Sequence, residues 1–234
     1  MAITRIFLVR HGATVLSAED RFAGSTDVEL SDEGRMQAAR LAERLGAEDI
    51  GAVYASPMRR TRETAAILAA PHRLEVQTRD GLREIDHGRW EQMTRAEVES
   101  RYADEYAAWE ADPFTFAPRG GEAGIAVMAR ALPALREIVV AHEGRKVVVV
   151  SHKATIRLVI SSLLGIDARG YRDRLDQSPA SLNILDFKGP VRARLMLYND
   201  VSHYAGYATS AKGRLSKWWD VEGEGPERDA DRAR

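Results

Sequence analysis

Ile6-Phe7-Leu8-Val9-Arg10-His11-Gly12 runs four apolar residues straight into an arginine, a histidine and a glycine. An uninterrupted apolar run of this length reads as a strand buried on both faces. Such strands belong to parallel sheets covered by helices. Arg10 and His11 then project from the strand's carboxyl end, where open α/β sheets bind their ligands. The arrangement recurs once, at Val147-Val148-Val149-Val150-Ser151-His152. Two strands that each end in a histidine can bring two imidazoles together over one crevice.

The rest of the chain fits this frame. Strand-like runs fall at 3–9, 52–56, 73–77, 146–151, 181–187 and 192–198. Helical patterns separate most of them. Ser31 is an N-cap with Ala38, Leu41, Ala42 and Leu45 at helical spacing behind it and Gly46 as the stop. A second helix opens at Pro57 and runs toward Ala70, a third spans 94–111, a fourth 125–142 and a fifth 154–164. Strands alternating with helices predict a three-layer α/β/α sandwich with a mostly parallel central sheet. The last two runs form a terminal hairpin around Lys188-Gly189-Pro190. The alternation breaks between 83 and 121, which reads as a small helical cap over the ligand end of the sheet. The expected organisation is a single domain over 1–221, followed by a polar tail at 222–234 too rich in Gly, Pro and charge to fold alone.

Composition narrows the function classes. The 234 residues are 44% hydrophobic and 29% charged, with a net charge of −1, as in an ordinary globular protein and with no footprint of nucleic acid. The chain has no cysteine, which excludes a disulfide, a thiolate nucleophile and a thiolate metal site. The first residues lead directly into a strand without a signal-peptide pattern, and no apolar run reaches the ~18 residues of a membrane span. A cytoplasmic location is the expectation. A homodimer stays open.

The residue types at the strand ends point to chemistry on an anion. A phosphate group matches the fork of the Arg10 guanidinium. Neutral imidazole can attack phosphorus, so His11 is a candidate nucleophile, and Gly12 lets the backbone come close to a ligand. His152 would stabilise transition-state charge as a hydrogen-bond donor or a cation. Of the arginines at 59, 60 and 62, helical spacing puts Arg60 with Thr64, Ile67 and Leu68 on one side, so Arg60 reaches inward while Arg59 faces water. The leaving oxygen needs a proton donor. Glu84 is the first candidate and Asp86 the second. His87, in the cap segment, could touch substrate.

Together these motifs resemble the histidine phosphatase superfamily, in its phosphoglycerate-mutase-like branch. The triplet Arg10-His11-Gly12 is similar to the family signature. Segment 21–31 resembles its substrate loop, segment 54–65 its second arginine motif, segment 82–91 the stretch with its acid/base carboxylate, and Gly120-Gly121-Glu122 a signature of the phosphatases. Val150-Ser151-His152 matches the second catalytic histidine. The resemblance spans about residues 3 to 203, in order.

The resemblance implies a phosphohistidine at His11, a phosphate pocket of Arg10, Arg60 and His152, and Glu84 as the acid that later activates water. It implies no metal and no cofactor, and a small phosphomonoester as the partner. Ser17, Phe22 and Gly24 fall in substrate-binding positions. Lys153 stands where glycine is common and could pair with a second anionic group on the substrate, or simply be a solvated helix-start residue. Arg95 occupies a place where mutases carry a basic residue, although the cap is short for a mutase. Two other readings remain at this point: a phosphoglycerate-type mutase, and a catalytically silent phosphate-binding regulatory domain. Because His11 must be neutral and Glu84 protonated, a slightly acidic to neutral pH optimum is expected.

Overall fold

Strands β1 (Thr4–Arg10) and β4 (Lys146–Ser151) lie side by side and parallel, with Arg10 in register with Ser151. They form the centre of a six-stranded sheet in the computed structural model, which describes residues 2–18 and 21–206. The side chains of Ser17 and Ala18 and the tail at 222–234 lie outside the described residues. The other strands are β2 (Ile50–Ala55), β3 (Val76–Thr78), β5 (Leu182–Phe187) and β6 (Ala193–Asp200), in the spatial order β3-β2-β4-β1-β5-β6. The first four are parallel. β5 runs antiparallel to β1 and turns back through residues 188–192 into β6.

The period of two along the central strands decides the layering. Ile6, Leu8, Val147 and Val149 face one way, against α6 (Gly124–Ala141) and α7 (Lys153–Leu164). Phe7, Val9, Val148 and Val150 face the other, against α2 (Asp32–Leu45) and α3 (Arg59–Ala69). Because both faces are apolar and both are covered, the α/β/α sandwich with a mostly parallel sheet follows directly. A short helix α1 (Val15–Ala18) follows β1, and Ser31 caps α2, its Oγ accepting from Gly34 N.

Several boundaries differ from the sequence reading, three of them for a visible reason. The second helix starts at Arg59 rather than Pro57. Pro57 and Met58 form a bend, with Met58 itself extended at φ −70° and ψ 145°, and the Thr61 hydroxyl bonds back to the carbonyls of Ser56 and Met58. The third strand starts at Val76 because Arg73 adopts a left-handed turn, φ 57°. The cap helix divides at Tyr102 into α4 (Arg95–Arg101) and α5 (Ala103–Ala111). The break lets Tyr106 and Trp109 fold onto Phe22 and Trp90, where ring packing outweighs helix continuity. That aromatic cluster is the core of the cap.

Candidate active site

The register of β1 and β4 sets the site. His11 N donates to Ser151 O at 3.1 Å, so the two histidines leave neighbouring strands together, with ring centroids 5.2 Å apart. Ser56, at the end of β2, joins the same edge through its N–H to Val150 O. The loop after β1 is fixed from both sides: Gly12 N donates to Thr64 Oγ1 of α3, and Ala13 N to Gln37 Oε1 of α2.

Hydrogen bonds fix the form of His11. Its Nδ1 lies 2.8 Å from Gly12 O, an atom that can only accept, so Nδ1 carries the proton. The lone pair is therefore on Nε2, which takes no hydrogen bond from the described residues. Burial, then the charges of Arg60 and Arg10, hold the His11 imidazolium well below its usual range. The ring is neutral at neutral pH, which is the form a nucleophile needs.

His152 is held between two partners. Its Nδ1 accepts from Arg60 Nε at 3.3 Å, and its Nε2 is 2.8 Å from Ser56 Oγ. A guanidinium can only donate, so His152 is neutral with its proton on Nε2, directed at Ser56. Burial and Arg60 push it well below the ordinary histidine value. In this neutral state Nδ1 accepts from Arg60 and Nε2 donates to Ser56.

The two arginines flank this pair. Arg60, 1% exposed, donates to Thr26 O at 2.7 Å and Gly24 O at 2.8 Å. Gly24 has φ +41°, and a Cβ there would meet Glu91 Oε1 at 2.1 Å, so this tight turn excludes a side chain. Gly24 thus serves Arg60 through its carbonyl. Arg10 Nη1 donates to Gln177 O at 2.6 Å, while its buried Nε has no partner. Burial lowers Arg10 to about 10, with the charge of Glu84 opposing that shift. An oxyanion would satisfy the orphaned donor.

Glu84 sits at the start of α7. Its Oε1 accepts from Ile85 N, Thr155 N and Thr155 Oγ1, and its Oε2 from Ala154 N. Its charge supports both Arg10 and Arg60 against burial, which sets it beside the same pocket. Asp86, the second candidate, turns its carboxylate onto Gly88 N instead. The structure therefore brings Arg10, His11, Arg60, Glu84 and His152 together.

The expected substrate-binding residues divide. Lys153 is the first residue of α7, next to His152, and half-buried. Phe22 is fully buried against His87, Trp90 and Trp109; it packs the cap and offers no free face. Arg95 starts α4 on the cap. Ser56, Thr155 and Gln177 were not singled out from sequence. Ser56 carried a signal, because it closes β2 as Ser151 closes β4. Gln177 carried none, since its carbonyl meets Arg10 across 167 positions.

The family model described as histidine phosphatase superfamily (branch 1) matches residues 6–201. The chain belongs to this superfamily. Among histidine phosphatases it is 36% identical to phosphoserine phosphatase 1 of Hydrogenobacter thermophilus over 70% of this chain and 78% of that one. It is 35% identical to glucosyl-3-phosphoglycerate phosphatase of Mycolicibacterium vanbaalenii over 71% and 76% of the two chains. Among solved structures it is similar to Bacillus stearothermophilus YhfR, with a TM-score of 0.81 and 30% identity over 86% of this chain and 98% of that one. This histidine phosphatase is a phosphoric monoester hydrolase. No helix among its described residues is long and apolar enough to cross a membrane.

Proposed function

We propose that this phosphatase works in two steps through a phosphohistidine at His11, on a small phosphomonoester that also carries a carboxylate. The observation that carries the reading is the tautomer of His11: Nδ1 is tied to Gly12 O, which leaves the lone pair on Nε2, and the charges of Arg60 and Arg10 act on the ring. In the first step Nε2 attacks phosphorus, the P–O ester bond breaks, and Glu84 gives its proton to the leaving alcohol. In the second, Glu84 takes a proton from water as the water oxygen attacks phosphorus. The P–N bond breaks, inorganic phosphate leaves and His11 regains its lone pair. Arg10 and Arg60 hold the phosphoryl oxygens and balance their charge.

His152 enters by changing partner. An incoming oxyanion competes for Arg60 Nε, frees His152 Nδ1, and favours its protonation, after which it can donate to the phosphoryl group. The substrate class rests on two supports. Phosphoserine and glucosyl-3-phosphoglycerate, named for two relatives, both carry a carboxylate near the ester. Lys153 puts a cation at the start of α7, beside His152. Such metabolites and a cysteine-free chain fit the cytoplasm.

The test is inorganic phosphate release, in EDTA, from phosphoserine, 3-phosphoglycerate and glycerol phosphate by wild type, His11→Ala and Lys153→Met. His11→Ala should abolish release. Lys153→Met should raise KM for the two carboxylate esters and leave glycerol phosphate unchanged. Equal effects on all three esters would refute the carboxylate assignment.

A further inference from the structure

Arg130, on α6, makes a set of contacts that the reaction as described does not use. Its Nε and Nη2 donate to the two carboxylate oxygens of Glu122 at 2.9 and 2.8 Å. Nη1 donates to Gly81 O at 3.0 Å and Arg83 O at 2.8 Å, and Nη2 also donates to Glu84 O at 2.8 Å. A guanidinium has five N–H donors, and all five are used here. Three of them bind carbonyls in the four residues that end at Glu84. Leu82 O accepts from Ser151 Oγ, and Thr155 Oγ1 adds a second bond to Arg83 O. The whole backbone of 81–84 is thus fastened, most of it by one side chain. Glu122 closes the arrangement, because Asp86 N donates to its Oε2 and its own N donates to Asp86 O.

We propose that Arg130, oriented by Glu122, is a positioning residue that holds Glu84 at the leaving-group side of the phosphate pocket. The inference rests on Glu84 being the proton donor of the reading above. Arg130 touches neither substrate nor the reacting atoms. It acts on the backbone that carries the acid, and the carboxylate is then trimmed by the N–H groups of Ala154 and Thr155. A residue that places only the acid should matter in proportion to how much the leaving group needs a proton. An alkoxide needs one badly, and a nitrophenolate leaves without it. Arg130 makes no hydrogen bond to the phosphate pocket, built from β1, α3 and β4; its charge is only the last of the influences on His152, and Arg130→Lys keeps that charge. A general structural role would lower both reactions alike.

The experiment compares kcat/KM for 3-phosphoglycerate and for 4-nitrophenyl phosphate in wild type, Glu84→Gln, Arg130→Met and Arg130→Lys. Glu84→Gln sets the scale, with a loss on the alkyl ester of about 10²–10⁴-fold and little on the nitrophenyl ester. Arg130→Met should lose about 10–100-fold on the alkyl ester and stay within about threefold on the other, since a misplacement near 1 Å costs on that order. Arg130→Lys, with three donors in place of five, should recover part of the loss. Equal losses on both esters, or no loss on either, overturn the inference while Glu84→Gln still shows its split. A Glu84→Gln without a split overturns the parent reading and this one with it. Should Arg130→Met fail to fold, Arg130→Lys and Glu122→Gln carry the same comparison.

Discussion

Gly34→Ala sets two effects of opposite sign against each other. Gly34 lies in the first turn of α2, and helix propensity alone favours alanine by about 0.5–1 kcal/mol. Tertiary structure opposes it. A Cβ at Gly34 would sit 2.1 Å from Ala13 O and 2.7 Å from Ala13 N, so the Ala13 carbonyl would have to retreat about 0.9 Å to reach even 3.0 Å. That carbonyl is held: Ser31 N and Ser31 Oγ both donate to it, at 2.9 and 3.1 Å, and Ala13 N is bonded to Gln37. Overpacking costs about 1–3 kcal/mol, and weakening such bonds adds about 1 kcal/mol. The clash therefore wins by about 1–3 kcal/mol, which lowers Tm by about 2–12 °C in a chain of this size. His11 is two residues from the displaced carbonyl, so kcat/KM should fall by about 10–100-fold. Differential scanning calorimetry and phosphate release read the two effects. Gly46→Ala is the control: its φ is −59° and a Cβ would come no closer than 3.3 Å, so it should be neutral or stabilise by about 0.4–1 kcal/mol. A Gly34→Ala enzyme that melts at or above the wild-type temperature with full activity would refute the packing argument.

Four further outcomes follow from the site and the cap. His11 and His152 are held neutral by burial, so kcat/KM should not begin to fall at pH 6.5 on the acidic side, but well below it; an acid limb at 6.5 or above contradicts this. The same depression makes the unfolded chain bind more protons below pH 6.5, so stability is full above that pH and falls as pH drops toward the folded values. The loss is at most about 1.4 kcal/mol per buried histidine per pH unit, read as Tm against pH. Binding of inorganic phosphate near pH 7 should take up a proton as His152 leaves Arg60 Nε. Calorimetry in buffers of different ionisation enthalpy measures it, and Ser56→Ala should alter the uptake; heats independent of buffer count against the exchange of partners. Thr94→Ala removes the capping box of α4 and should cost about 0.5–2 kcal/mol with kcat/KM unchanged, because the hydrogen bonds of Thr94 go to Glu97 and Val98 and not to the pocket residues.

Local pattern sets the sheet and places the histidines at the ends of its central strands. Apolar runs at 6–9 and 147–150 can only be satisfied between two helical layers, and a period of two then forces Arg10-His11 and Ser151-His152 to emerge at one edge. Helical spacing selected Arg60, and it is buried as that spacing requires. The tertiary structure alone decided the rest, because those contacts join residues with no periodic relation. The protonation pattern of His152 depends on Ser56 and Arg60, each more than 90 positions away, so no local pattern shows it. The N–H groups at the start of α7 hold the Glu84 carboxylate while Gly88 N holds that of Asp86, and neither contact is visible as a local pattern. Phe22 reads as a pocket residue by its place in the motif but is buried by rings brought from 87, 90 and 109. Local pattern records which face a residue must bury. Which partner then fixes its proton or its carbonyl is set by distance in space, and only the folded chain supplies that.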